Sequence, residues 1–222
     1  GLAKLGFKRG DKLAVIGDNR PRLYWSMVAV QALGGIPVPL YQDSVAEEMV
    51  YVLENADVKY AIVQNQEQTD KLLEIKDRLP LLEHICYEEP RGMRDYTQEF
   101  IHYYKDIQVK GSIFHSENPD FFLHEIEQGQ GSDIAIFLYT SGTTGKPKGV
   151  VLTQENLLIT SLNSLAFDNI TGEEEVLAYL PMAWVGDNLF SFSQAYVAGF
   201  CVNCPEGPET VMTDLREIGP TY

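Results

Sequence analysis

Four short apolar runs constrain the chain up to residue 90: Lys12 to Gly17, Ile36 to Leu40, Val58 to Val63 and Glu83 to Tyr87. Each has the length of a buried strand, and a stretch of helical periodicity separates it from the next. The first of these helices spans roughly 21–33. It follows the turn Asp18-Asn19-Arg20, with Pro21 near its first position, carries Leu23, Trp25, Met27, Val28 and Val30, and closes at Gly34-Gly35. Pro37 and Pro39 mark the second strand as short or as an edge. Ser44 to Glu47 fits a capping box for a helix that buries Met49, Val50, Val52 and Leu53, and a further helix with a polar start runs to Leu79. Strand and helix in alternation, with short connections, predict an α/β fold: mostly parallel, doubly wound sheet with helices on both faces.

Residues 90–132 break that rhythm. Tyr96, Phe100, Tyr103, Tyr104, Phe114, Phe121 and Phe122 lie among polar residues, and the pattern predicts only one helix, from Pro119 to Glu127. Gly129-Gln130-Gly131 reads as a flexible entry to the next strand. Beyond it the expectation is a strand at Ile134 to Leu138, a helix capped by Thr153 and reaching about Ala166, and a strand at Val176 to Leu180. A helix capped by Asp187 and running to Ala198, a strand at Phe200 to Asn203 and a helix at Pro208 to Ile218 complete the chain.

The segment between Leu138 and Val150 concentrates hydroxyls, glycines and lysines: Tyr139-Thr140-Ser141-Gly142-Thr143-Thr144-Gly145-Lys146-Pro147-Lys148-Gly149-Val150. After a strand, such a run reads as a loop that grips an anion. Gly142, Gly145 and Gly149 permit positive φ and let backbone N–H groups converge. Thr140, Ser141, Thr143 and Thr144 add hydroxyl donors, and Lys146 and Lys148 add charge. The implied ligand is a polyphosphate, with a nucleotide the first candidate. The Walker pattern fails, because Thr140 stands where its first glycine should be and Pro147 follows Lys146. The dinucleotide fingerprint fails as well, because Gly142 and Gly145 are wrongly spaced.

From Tyr139 to Val150 the run closely resembles the signature loop of the adenylate-forming superfamily: acyl-CoA synthetases, nonribosomal-peptide adenylation domains and luciferase-like enzymes. Downstream, Leu180-Pro181-Met182-Ala183-Trp184-Val185-Gly186-Asp187 lies at a strand end, where α/β sheets place ligands. In the resembled superfamily this segment shapes the pocket for the carboxylate. Members with small substrates often place an aromatic residue and then His there. Ala183-Trp184 instead resembles a bacterial subgroup of long-chain fatty-acid–CoA ligases. Leu189, Phe190, Phe192, Tyr196 and Val197 could line an acyl tunnel, although a stripe at helical spacing is also what core looks like.

The resemblance implies attack of a fatty acid on the α-phosphorus of ATP, then capture of the acyl group by coenzyme A. It assigns Thr140, Ser141, Gly142, Thr143, Thr144, Gly145, Lys146 and Lys148 to the phosphates, with Thr144 and Lys148 catalytic and Thr144 nearest Mg²⁺. Trp184, Val185, Gly186 and Asp187 are assigned to the acid. It further implies that residues 1–222 belong to a large N-terminal AMP-binding domain, in portions 1–130 and 131–222, with a C-terminal domain absent. The Tyr-Gly-x-Thr-Glu and Thr-Gly-Asp segments of the superfamily and its late Lys are missing too. Gln154 replaces a His common in relatives. The ends, Gly1-Leu2-Ala3 and Pro220-Thr221-Tyr222, read as cuts within a longer protein. Two alternatives stay open: another adenylate former, loading a carrier protein or an aryl acid, and a non-catalytic nucleotide-binding module.

Composition excludes some classes. A net charge of −15 over 222 residues argues against nucleic acid and gives no polybasic attraction to anionic membranes, although a lipid substrate leaves room for peripheral membrane association. The three cysteines point to a reducing compartment, with the cytoplasm the simplest expectation. Cys201-Val202-Asn203-Cys204 stands alone as a CxxC and reads best as buried free thiols, and His84, His102, His115 and His124 are scattered. Oligomeric state is not legible.

Overall fold

A computed structural model describes residues 1–140 and 146–222. Its centre is a five-stranded, fully parallel sheet in the order β2-β1-β3-β4-β5. The strands are β1 (Lys12–Ile16), β2 (Ile36–Leu40), β3 (Val58–Val63), β4 (His84–Tyr87) and β5 (Ile101–Tyr103). Between them run α1 (Pro21–Ala32), α2 (Ala46–Asn55) and α3 (Gln66–Glu74), and α4 (Tyr104–Glu117) and α5 (Phe121–Glu127) follow. Because side chains alternate across a strand, each strand feeds two separate cores. Leu13 and Val15 of β1, Tyr60 and Ile62 of β3 and Cys86 of β4 pack with Leu23, Met27 and Val30 of α1 and Ile107 of α4. Ala14 and Ile16, Ala61 and Val63, and Ile85 pack on the opposite face with Met49, Val50 and Leu53 of α2 and Leu72 of α3. Helices therefore cover both faces, and β2, with its prolines, is indeed an edge of this sheet.

The second portion adds β6 (Ile134–Thr140) and β7 (Lys148–Thr153), an antiparallel pair, with β6 lying beside β2. Next come α6 (Gln154–Asp168), β8 (Glu175–Leu177), α7 (Val185–Asp187), a π-helical segment (Asn188–Ser193), α8 (Gln194–Ala198), β9 (Cys201–Asn203) and α9 (Val211–Ile218). Strands β8 and β9 pair in parallel. Thr153 caps α6 as expected: its Oγ1 accepts from Asn156 N at 3.2 Å while Asn156 Oδ1 accepts from Thr153 N at 3.0 Å.

Several expectations need correction. Residues 90–132 are not largely irregular, since they hold β5 and α4, and β5 completes the sheet by pairing Ile101 with Ile85 and Tyr103 with Tyr87. The cap of α2 sits one residue later than Ser44: Val45 precedes the helix and its N–H donates to Glu48 Oε2 at 3.3 Å. Of the apolar residues on α1, Trp25 and Val28 face solvent. Asp187 is no cap either. Trp184 precedes α7, and Asp187 lies inside the helix with its side chain in the core.

Candidate functional site

The β6–β7 hairpin carries the phosphate-loop residues. Its last pair is Thr140 opposite Lys148, preceded by Tyr139 opposite Gly149. Directly opposed residues of an antiparallel pair project on the same face, so the Thr140 hydroxyl and the Lys148 ammonium start from one side of the ribbon. Ser141, Gly142, Thr143, Thr144 and Gly145 lie outside the described residues. Gly149 does not supply positive φ: it is extended, within β7. Its value is room, because a Cβ there would stand 3.3 Å from the Tyr139 ring. Across that gap the Tyr139 hydroxyl donates to Asn55 Oδ1 at 2.8 Å, tying the hairpin to the end of α2. Lys146 is also held toward α2, its ammonium 5.3 Å above the centre of the Tyr51 ring.

Thr140, Lys146 and Pro147 line a cleft of about 580 Å³ whose other wall is built by Tyr41, Ser44, Glu48 and Tyr51. Ala183, from the loop after β8, lines the same cleft. Thr140 and Lys146, at the two ends of the phosphate loop, and Ala183, separate in sequence, thus line one space. A more apolar cavity of about 450 Å³ lies elsewhere, between α1, α4 and α5, and holds none of these groups.

Behind the loop is a buried polar network. The Tyr24 hydroxyl lies 2.8 Å from Asp187 Oδ1 and 2.9 Å from Oδ2. Asn19 Nδ2 is 2.7 Å from the Tyr24 hydroxyl, 3.1 Å from Asp187 Oδ1 and 2.9 Å from the Leu180 carbonyl. Burial pushes the Asp187 carboxyl up to about 6, against the opposing pull of hydrogen bonds from Tyr24, Ser191 and Asn19. Burial and the neighbouring Asp187 charge likewise push the Tyr24 phenol well above its ordinary range. Asp187 therefore meets buried protein groups, while Trp184 and Val185, about half exposed, are the members of the expected acid set that face outward. Gly186 is buried, and a Cβ there would press on the Trp184 indole at 3.0 Å.

Phe192 stacks on Tyr24 with ring centres 6.0 Å apart, and its edge meets Tyr196 at 4.8 Å. With Trp25 and Phe200 these rings line an apolar cavity of about 270 Å³ beside α1. Phe190 turns to solvent, so the aromatic stripe divides between core, cavity wall and surface.

Two readings of reactive side chains change. Cys201 is exposed and Cys204 only partly buried. Because β9 keeps residues 201–203 extended, the two α-carbons stand roughly 10 Å apart, too far for a disulfide without rebuilding the strand. His84 and His102 are not scattered: parallel pairing of β4 and β5 brings His84 Nδ1 to 2.9 Å from His102 Nε2. Sequence spacing carries no hint of that pair. Among the described residues no group of three or more His, Cys, Asp or Glu side chains is placed to hold a metal ion. The Mg²⁺ contact expected at Thr144 lies outside them.

Comparison with known proteins defines the class. The family of AMP-binding enzymes matches residues 1–222, and the chain belongs to that family. A long-chain-fatty-acid–CoA ligase of Rattus norvegicus is 31% identical over the whole chain, and one of Xenopus laevis is 30% identical. The chain spans 31% of the length of the rat protein and 30% of the Xenopus protein. Among solved structures, an anthranilate CoA ligase in complex with anthranoyl-AMP overlays 99% of this chain and 40% of its own, with a TM-score of 0.75 at 22% identity. ATP-bound MatB from Rhodopseudomonas palustris overlays 98% of this chain and 40% of its own, with a TM-score of 0.69 at 17% identity. At such identities the overlays establish a shared fold.

Proposed function

We propose that the protein containing this chain activates a long-chain fatty acid with ATP and transfers the acyl group to coenzyme A. A carboxylate oxygen attacks the α-phosphorus of ATP and pyrophosphate leaves. The thiol of coenzyme A then attacks the acyl carbon and AMP leaves. Positioning and charge neutralisation dominate such transfers. Thr140, Lys146 and Lys148, with Ser141, Gly142, Thr143, Thr144 and Gly145, are proposed to hold the departing phosphates, with Thr144 and Lys148 acting on the reacting groups. Mg²⁺ would accompany the nucleotide and neutralise phosphate charge, and no other step here depends on it. Trp184 and Val185 are proposed to face the acid, with Gly186 and Asp187 shaping the loop that presents them.

One observation carries the reading: Thr140, Lys146 and Ala183 line a single cleft, so phosphates and acid can meet there. The names of the similar ligases support the acid class. In this proposal residues 1–222 form part of a large N-terminal domain, and further segments of the family supply the ribose and adenylation contacts. In this proposal the protein works in the cytoplasm, where its cysteines would remain thiols, with peripheral contact to membranes as a route to its lipid substrate.

The test is ATP–pyrophosphate exchange by the full-length protein against a panel of acids. Exchange dependent on palmitate, and weak with amino or aryl acids, is expected. Exchange following aryl or amino acids would move the reading to another adenylate former. ATP binding without any exchange would leave a non-catalytic nucleotide-binding module.

A further inference from the structure

The segment from Leu180 to Trp184 is held by side chains at its carbonyls. Asn19 Nδ2 donates to Leu180 O at 2.9 Å, and Asn188 Nδ2 donates to both Met182 O and Trp184 O at 2.8 Å. Both amides are buried, at 7% and 0% exposure. The orientation of Asn188 follows from its partners, since a flipped amide would set its oxygen against two carbonyl oxygens. That orientation leaves Asn188 Oδ1 without a hydrogen-bond partner among the described residues. A leucine has the same branching and would carry no unpaired side-chain oxygen. What it would lose is the hold on the two carbonyls flanking Ala183.

Asn19 reaches the loop from the other half of the chain, on the turn between β1 and α1. Its own aim is fixed by Tyr24 and Asp187, which it contacts at 2.7 and 3.1 Å. Asn188 begins the π-helical segment, a geometry that recurs at functional sites because the widened turn redirects side chains. The loop is therefore located by one amide from each half of the chain.

We propose that Asn19 and Asn188 form a backbone clamp on the acid-binding loop, and that both are positioning residues which set where Ala183 and Trp184 stand relative to Thr140 and Lys146. The inference rests on reading Leu180–Trp184 as the acid-binding loop. It extends that reading to a residue, Asn19, that lies 161 positions from the carbonyl it holds.

The test uses the full-length protein as wild type, Asn19→Ala and Asn188→Leu, with palmitate as the probe acid in pyrophosphate exchange. Hydrogen–deuterium exchange of a peptide covering residues 180–187 is measured in parallel. Each variant is expected to raise KM for palmitate at least fivefold, leave KM for ATP within twofold, and speed exchange of the loop peptide at least fivefold while β1 to β4 stay protected. Asn188→Leu keeps the branched shape but is larger and leaves the Met182 carbonyl unpaired, so a modest fall in melting temperature is expected, with the protection of β1 to β4 showing that the fold is retained. An unchanged loop peptide in both variants, or KM for acid and ATP rising together, would overturn the clamp. If the wild type activates no acid, the functional reading fails, and the deuterium measurement, which needs no substrate, still judges the clamp.

Discussion

Tyr24 and Asp187 are 163 positions apart in the chain, yet the Tyr24 hydroxyl reaches both carboxylate oxygens within 2.9 Å. This contact joins the first helix of the parallel sheet to the loop that faces the phosphate hairpin. Neighbouring bonds reinforce the seam. Arg20 donates to Pro205 O and Glu206 O, and Gln31 donates to the Ala135 carbonyl while accepting from the Tyr196 hydroxyl. Helix α1 thus braces both the hairpin strand and the acid loop.

Burial of Asp187 makes stability depend on pH, and the Tyr24 hydrogen bond opposes the shift. Burial raises the Asp187 carboxyl from its ordinary 3.8 to about 6. A raised pKa means that the native state holds its proton longer than the unfolded chain does. The associated stability is present below pH 3.8 and lost as pH rises through about 6. A shift of this size corresponds to about 3 kcal/mol. Relative to wild type, Asp187→Asn is expected to gain melting temperature as pH increases from 4 to 7. Parallel melting curves for the two proteins would show that Asp187 does not titrate in this way.

His84 and His102 behave in the opposite sense. Burial lowers both, and His84 also lowers His102. Lys110 opposes protonation of either ring, and Glu83 favours that of His84. With nitrogens 2.9 Å apart, one proton can bridge the pair but two charges repel. The stability tied to the neutral rings is present above their unfolded value of 6.5 and lost as pH falls through the depressed folded values. Below pH 6.5, strand β5 is expected to lose protection, its amides exchanging faster relative to their intrinsic rate at the same pH, and His102→Gln should flatten that dependence. The check is hydrogen–deuterium exchange of a peptide spanning Ile101–Tyr103 at pH 5 and pH 7.

Lys148 starts β7, exposed and opposite Thr140. Removing a preorganised charge-stabilising donor typically costs ~2.7–4 kcal/mol in the transition state. Lys148→Ala in the full-length protein is expected to slow adenylation at least tenfold in single-turnover measurements, with melting unchanged. Adenylation at the wild-type rate would remove Lys148 from the mechanism.

Gly149 leaves the space that the Tyr139 ring occupies on its way to Asn55. A branched side chain there presses on the ring and pushes it off its line to Asn55. Gly149→Val is expected to lower the melting temperature and to raise KM for ATP severalfold, because Thr140 and Lys148 move with the hairpin. Calorimetry and ATP titration on the same sample check both effects.

Much of this architecture is legible in the sequence because it is local. Strands β1 to β4 are apolar runs bounded by turns, and Pro21, Gly34 and Thr153 mark helix ends by their own chemistry. Strand β5 escapes notice because it is three residues long and enters α4 without a turn. Helix α4 buries only Tyr104 and Ile107, so it shows almost no apolar stripe. Asp187 illustrates the opposite failure. An acidic residue before an aromatic helix satisfies the local rule for a cap, and only the tertiary partners Tyr24 and Asn19 explain its burial. The candidate site divides the same way. The phosphate run is written in consecutive residues, whereas Asn19, Asn188 and the His84–His102 pair exist only through folding.

The most direct measurement follows oxygen. Full-length protein is incubated with ATP, coenzyme A and palmitate labelled with ¹⁸O in its carboxylate, and the AMP is weighed by mass spectrometry. Attack of the carboxylate on the α-phosphorus predicts AMP carrying a single ¹⁸O atom, with pyrophosphate unlabelled. AMP without label, or label appearing in phosphate alongside ADP, would contradict the account.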